Sequence, residues 1–246
     1  MAVVLQVGDR AITTEEIVPL LRHYQLLPQL LQEMIIDGAI AAITCTPEEL
    51  SRACQEFYTQ QQLPTDEARQ AWQKQQGLTQ LQVEALATRK LRIEKFKQAT
   101  WGHKLESYFL NRKGQLDRVI YSLIRTSDEG IVQELYFRLQ AGEQSFSELA
   151  QKYSQGAEAQ TGGLIGPVEL SSPHPKLVQM LSASQPGQLW PPVRIDKWLA
   201  VVRLEKFIPA QLDEACKARL LHELFTTWLK EQVSQQLLAI NSESVG

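Results

Sequence analysis

The hydrophobic period changes from helical to strand spacing at Gly114, and that change limits the fold more than any other feature. From Thr13 to about Asn111 apolar residues recur at helical spacing, separated by short connections. At Gly114 the period becomes two. In DRVIYSLIRT (117–126), Val119, Tyr121 and Leu123 fall on one side and Ile120, Ser122 and Ile124 on the other. Both sides carry apolar members, which predicts a central strand covered on two faces. Helices and strands then alternate as far as Pro209, where one long helix is predicted to start and run toward Ile240. Its apolar residues at 212, 216, 220, 224 and 228, with 221, 225 and 229 beside them, make a wide stripe that has to be buried. The predicted class is α+β.

Local punctuation refines this reading. AVVLQV ends in Gly8-Asp9 and predicts one short strand and a turn. Thr13 with Glu16 reads as a capping box, and Pro19 is placed in the tolerant first turn of the helix that follows. Pro28 interrupts the pattern, which resumes with Ile35, Ile36, Ala39, Ile40 and Ile43 on one face. Thr46-Pro47-Glu48-Glu49 is a strong helix start, with an N-cap, a proline at N1 and a glutamate at N3. Thr65 and Thr79 begin two more helices, and a short one is predicted over 103–111. After the strand come helices over 129–139 and SFSELAQKYS, a glycine-rich stretch, a short helix in HPKLVQMLSA, and strands in PPVRI and WLAVVRLEKF.

Composition excludes several classes. At 246 residues the chain makes one large domain or two small ones. A formal charge of −3 points to neither a strongly acidic nor a strongly basic partner, and nucleic acid is not expected. TRKLRIEKFK (88–97) is locally basic, but spread around a helix it reads as a solvated face, with Leu86, Leu91, Ile93 and Phe96 packed. Cys45, Cys54 and Cys216 fit no metal spacing and are expected to be free, mostly buried thiols. His23, His103 and His222 show no ligand spacing either. The start MAVVLQVGDR lacks the parts of a signal peptide, and no run approaches the roughly 18–20 apolar residues of a membrane span. The expected location is cytoplasmic.

The stretch QKYSQGAEAQTGGLIGP (151–167) is the strongest functional signal. It is not a phosphate cradle. Its glycines follow a helix rather than open one, no lysine is present, and Gly166 leads into extended chain at Pro167. The order of elements around it, with FSELAQKYS, GGLIG, SASQPGQL, Pro192-Val193 and VVRL in succession from Phe146 to Leu204, resembles the parvulin family of prolyl isomerases. Helices before such a domain and one long helix after it are similar to the SurA/PrsA group of chaperones. The resemblance implies a helical module over 1–114, a parvulin domain over 115–207 (an antiparallel sheet with helices), and a C-terminal helix over 208–246 that packs on the first module. LDEACKARLLHELFTTWL (212–229) also resembles a bacterial group associated with export, which implies an export system as a partner.

The implied activity is cis–trans isomerisation in unfolded or proline-containing polypeptides, without metal or cofactor. Residue by residue, the resemblance places Tyr121 where the family has its first histidine and Ala200 where it has its second. Gly156, preceded by Gln155, takes the place of a cysteine or aspartate, and Leu164 that of an aspartate. Ile165, Pro173 and Leu177 take the apolar proline-pocket positions. Tyr121 and Gln155 are therefore the candidate catalytic residues, with Leu164, Ile165, Pro173, Leu177 and Ala200 as substrate-binding positions. The polar network is largely replaced, so two readings stay open: an isomerase driven by pocket shape and desolvation, or a retained fold that only binds peptide. His174 reads either as a substrate contact or as the first residue of its helix. Trp198, like most of the tryptophans, reads as core.

Overall fold

The structure, a computed structural model, describes residues 3–243. It divides into two compact units, one formed by Met1–Leu105 with Glu214–Gly246 and the other by Glu106–Asp213.

The first unit begins with a hairpin. β1 (Val3–Val7) pairs antiparallel with β2 (Arg10–Thr13) about Gly8, whose φ of +58° suits the turn. The second strand was not expected, because RAIT is short and only half apolar. α1 (Thr14–His23) starts where Glu16 accepts a hydrogen bond from the Thr13 N–H at 2.8 Å. Pro19 lies in its second turn rather than its first, so this helix gives up an interior hydrogen bond. Pro28 does not end a helix; it sits in the first turn of α2 (Leu27–Ile40). α3 (Pro47–Gln60), α4 (Asp66–Gln76) and α5 (Gln80–Trp101) each start at a threonine whose Oγ1 accepts from the backbone of the first turn. α4 stops at Gly77 in the left-handed region.

The stripe on the last helix is largely covered within this unit. Labelled by chain order, the last helix is α10 (Glu214–Glu243). Its Phe225 and Leu229 form a buried cluster with Ile36 and Ile40 of α2, and Phe96, Trp101 and Trp228 pack against them. Ring centroids of Phe96 and Trp228 are 5.4 Å apart and those of Phe225 and Trp228 5.7 Å. The basic run of α5 is not simply solvated. Arg89 pairs with Glu33 at 2.6 Å and Asp37 at 3.0 Å, and Lys95 with Glu49 at 2.5 Å. Arg92 donates to the carbonyls of Ile40 at 2.6 Å and Ile43 at 3.0 Å, where the end of α2 leaves acceptors unmet. Lys97 is buried beside Glu94 and over the Phe225 ring. Leu86, expected to be packed, is exposed. Cys45, Cys54 and Cys216 are half-buried rather than buried.

α6 (Leu105–Leu116) runs past the expected end, straight through Gly114. The Asp117 N–H bonds to the Lys113 carbonyl at 2.9 Å and the Lys113 ammonium to the Asp117 carboxylate at 2.9 Å, which holds the last turn together. The switch to strand therefore comes at Arg118. The second unit holds β3 (Arg118–Thr126), α7 (Glu129–Ala141), α8 (Phe146–Tyr153), β4 (Leu164–Glu169), α9 (Pro175–Ala183), β5 (Leu189–Ile195) and β6 (Trp198–Ile208). Its sheet has the order β4-β3-β6-β5, and every pair is antiparallel.

β3 is central, as its two apolar faces require. Tyr121, Leu123 and Val119 share one face with Ala200, Val202 and Leu204 of β6, and Leu177 and Leu181 of α9 close it. Ile124 and Val201 lie on the other face under Val132, Leu135, Phe146 and Leu149 of α7 and α8. The glycine stretch enters β4. A Cβ at Gly163 would stand 2.9 Å from the Leu123 carbonyl oxygen, and one at Gly166 2.5 Å from that of Val119. Both glycines have positive φ, +82° and +118°. Small residues are needed here because the entering backbone lies directly against β3.

Candidate functional site

A cavity of about 350 Å³ opens on the α9 face of the sheet. Strand alternation decides what reaches it. Tyr121, Leu123 and Arg125 project from β3, and Ala200 from β6, whose Cα pairs with that of Arg125. Ile165 comes from β4, Leu177 from α9 and Ile195 from the end of β5. Trp198, His174, Asp196 and Glu158 complete the lining.

Four of the seven residues singled out from the sequence meet in this cavity: Tyr121, Ile165, Leu177 and Ala200. Three do not line it. Leu164 is half-exposed and pairs with Ser122, so alternation sends it away from Ile165 and the cavity. The Gln155 side chain is engaged elsewhere, accepting from the N–H of Ser127 at 3.0 Å and its hydroxyl at 3.2 Å. Pro173 lies one residue too early; the next residue, His174, caps α9 and lines the cavity. His174 is thus both the N-cap of α9 and part of the cavity lining. Its Nδ1 accepts from the Lys176 N–H at 3.2 Å, which places the ring proton on Nε2, facing Asp196 Oδ1 at 3.6 Å.

The polar side of the cavity was not foreseen as a site. Glu158 sits in a 3-10 turn (Ala157–Thr161) with its carboxylate buried, and pairs with the Arg125 Nη2 at 2.9 Å. Its other oxygen accepts from the Ser154 hydroxyl at 2.6 Å, and that hydroxyl accepts from the Arg125 N–H at 3.1 Å. A Cβ on Gly156 would stand 2.0 Å from Arg125 Nε, so only glycine lets the pair close. The guanidinium carbon stands 5.8 Å from the centre of the Trp198 ring, within cation–π range. One signal pointed toward this group: an arginine in a strand otherwise apolar on both faces. Its partner, a glutamate among small residues in a loop, gave none.

Burial pushes the Tyr121 phenol above its ordinary pKa; the Glu158 carboxylate adds to the shift and Arg125 opposes it. Tyr121 therefore remains a neutral hydroxyl at physiological pH and can donate one hydrogen bond. Among the described residues no cluster of three or more His, Cys, Asp or Glu side chains is arranged to hold a metal ion. No helix among them is long and apolar enough to cross a membrane.

A four-stranded antiparallel sheet of this order, with a glycine turn into its edge strand and a cavity under α9, defines a parvulin-type domain. Residues 125–206 match the family described as the rotamase, PPIC-type PPIASE domain, so the chain carries a domain of that family. No curated protein is recognisably similar in sequence. Among solved structures, the chain is similar to the peptidylprolyl isomerase PrsA of Bacillus cereus, with 18% identity over 97% of this chain and 91% of that one and a TM-score of 0.48. It is also similar to a SurA-like chaperone of Campylobacter jejuni, with 16% identity, 98% of each chain covered and a TM-score of 0.38. The parvulin domain of PpiD from E. coli shows 26% identity over 41% of this chain and 97% of its own length, with a TM-score of 0.35.

Proposed function

We propose that the protein acts on unfolded or proline-containing polypeptides as a peptidyl-prolyl cis–trans isomerase and chaperone, with the cavity of its parvulin-type domain as the site. The observation that carries this is the convergence of Tyr121, Leu123, Ile165, Leu177, Ile195 and Ala200 as the apolar side of one cavity, facing Arg125, Glu158, His174 and Asp196. Such a space suits a proline ring. The X–Pro bond exchanges in tens to hundreds of seconds because a planar amide resists twisting by about 18–20 kcal/mol. No nucleophile is required. The cavity has to hold the ring and favour the twisted bond, and about 5.5 kcal/mol of differential binding gives 10⁴-fold. Desolvation in an apolar space favours the twisted amide, which is less polar than the planar one.

The test is magnetisation-exchange NMR on short X–Pro peptides with and without the protein. Accelerated exchange that falls at least tenfold in Ile165→Ser supports the reading. Peptide signals that shift and broaden without faster exchange would instead indicate a binding module. That second reading is favoured by Ala200, which offers only a methyl group where a polar side chain would assist. An export system as partner rests on the resemblance of residues 212–229 alone; co-purification of an exporter subunit with the full chain, lost on charge reversal along the exposed side of α10, would support it.

A further inference from the structure

We propose that Arg125 is the catalytic hydrogen-bond donor of this site, presenting Nη1–H to the prolyl nitrogen as the bound X–Pro bond twists. The inference rests on the isomerase reading and adds a residue that the sequence comparison did not mark. Arg125 lies on the same sheet face as Tyr121 and Leu123, directly across from Ala200. Opposite residues in an antiparallel pair have Cβ atoms about 4.5–5.5 Å apart. Ala200 ends there, so the functional group at that point of the cavity is the neighbouring guanidinium.

The guanidinium is held rather than loose. Nη2 is fixed by Glu158 at 2.9 Å, Glu158 by Ser154 at 2.6 Å, and the group lies near the Trp198 ring. Nε is buried and without a partner, packed against the space that Gly156 leaves. Nη1 is not the nitrogen that meets Glu158, and about a third of the Arg125 side chain is exposed. It is therefore the donor left for a ligand on a pre-oriented cationic group that lines the cavity.

The chemistry selects the transition state. In a planar amide the prolyl nitrogen shares its lone pair with the carbonyl and is a poor acceptor. Twisting ends that sharing and localises the pair on nitrogen. A donor aimed at the nitrogen thus gains its hydrogen bond mainly at the twisted geometry, which is the requirement for lowering a barrier rather than merely tightening binding. Because arginine does not lose its proton, the donor is present at every working pH. No bond is made or broken and no proton leaves the guanidinium.

The experiment uses the full chain and a short peptide with one central Leu–Pro bond. The exchange rate is measured at saturating protein, and Kd is taken from peptide shift changes. Arg125→Gln is combined with Glu158→Gln so that no buried carboxylate is left unpaired. Arg125→Lys is the second variant, keeping a cation for Glu158 but losing the planar fork. Loss of one charged hydrogen bond corresponds to roughly a 10- to 100-fold lower exchange rate, with Kd within about twofold of the wild type. Undiminished exchange in either folded variant overturns the proposal. So does a parallel loss of binding, which would make Arg125 a binding contact only. If the variants bind normally but the wild type itself gives no exchange enhancement, the isomerase reading fails and takes this one with it.

Discussion

The basic side chains of α5 in the helical unit and Arg125 in the parvulin-type unit are used in opposite ways. In the helical unit each basic side chain of α5 with a defined partner closes a structural need: Arg92 meets the carbonyls at the end of α2, Arg89 and Lys95 reach acids on other helices, and Lys97 is buried beside Glu94. In the parvulin-type unit Arg125 is anchored at one nitrogen only and leaves another toward a cavity. The first arrangement spends its hydrogen-bonding capacity on holding helices together. The second keeps some in reserve. A donor held but not used up is what a site requires, and a side chain fully paired by its neighbours has little left for a ligand.

The core contrast can be broken most forcefully at single large side chains. Phe225→Ala removes the ring that joins α10 to α2 and α5, and should cost the helical unit about 3–5 kcal/mol. Leu149→Ala should cost the parvulin-type unit about 2–5 kcal/mol, since Leu149 is fully buried between α8 and the sheet. Hydrogen exchange read by mass spectrometry reports each unit separately. Protection lost only in the mutated unit would show that the two cores are energetically separate. Equal loss in both would show that they unfold together.

Smaller changes sharpen the comparison at the helix starts. Thr46→Ala removes the hydroxyl that accepts from the Glu49 N–H, and Ser145→Ala the one that accepts from the Glu148 N–H. Each should cost about 1 kcal/mol, measured by denaturant unfolding. Similar costs are expected although the caps stand in different units, because the lost interaction is the same. A cost well above this in one unit would mean that its cap also positions other parts.

These starts were also the most legible part of the sequence. Thr46-Pro47-Glu48-Glu49 needs only residues three positions apart, and the structure forms the box it spells. The same holds for the double-faced strand at 118–126, whose neighbours can be inferred from its own pattern. Legibility fell where the deciding partner is distant in sequence. The end of α6 was misplaced for a different reason: its Lys113–Asp117 pair is local, but Gly114 reads as a stop. The cavity was half legible: its apolar members follow from the strand and helix they occupy. Glu158 does not, because only the folded 3-10 turn brings it beneath Arg125. A pair separated in sequence by two helices has no local signature.

The smallest expected effect concerns acid. In the helical unit Glu15, Glu16, Glu48, Glu49 and Glu67 are held below the usual carboxylate range, mostly by backbone hydrogen bonds at helix starts; for Glu49 the Lys95 side chain is the leading cause. In the parvulin-type unit Glu148 is lowered in the same way, by the backbone of Ser145. A carboxyl whose folded pKa is lowered binds protons more weakly in the folded state than in the unfolded one. Its stabilisation is fully present above the unfolded value, near 4.5, and is lost as pH falls through the folded value. The helical unit carries more such groups, so between about pH 5 and pH 3 it should lose hydrogen-exchange protection earlier than the parvulin-type unit. These carboxylates are solvent-exposed, so the difference should be modest and should shrink as salt is added. A parvulin-type unit that loosened first in acid would show that these helix-start carboxylates do not set the order of loosening.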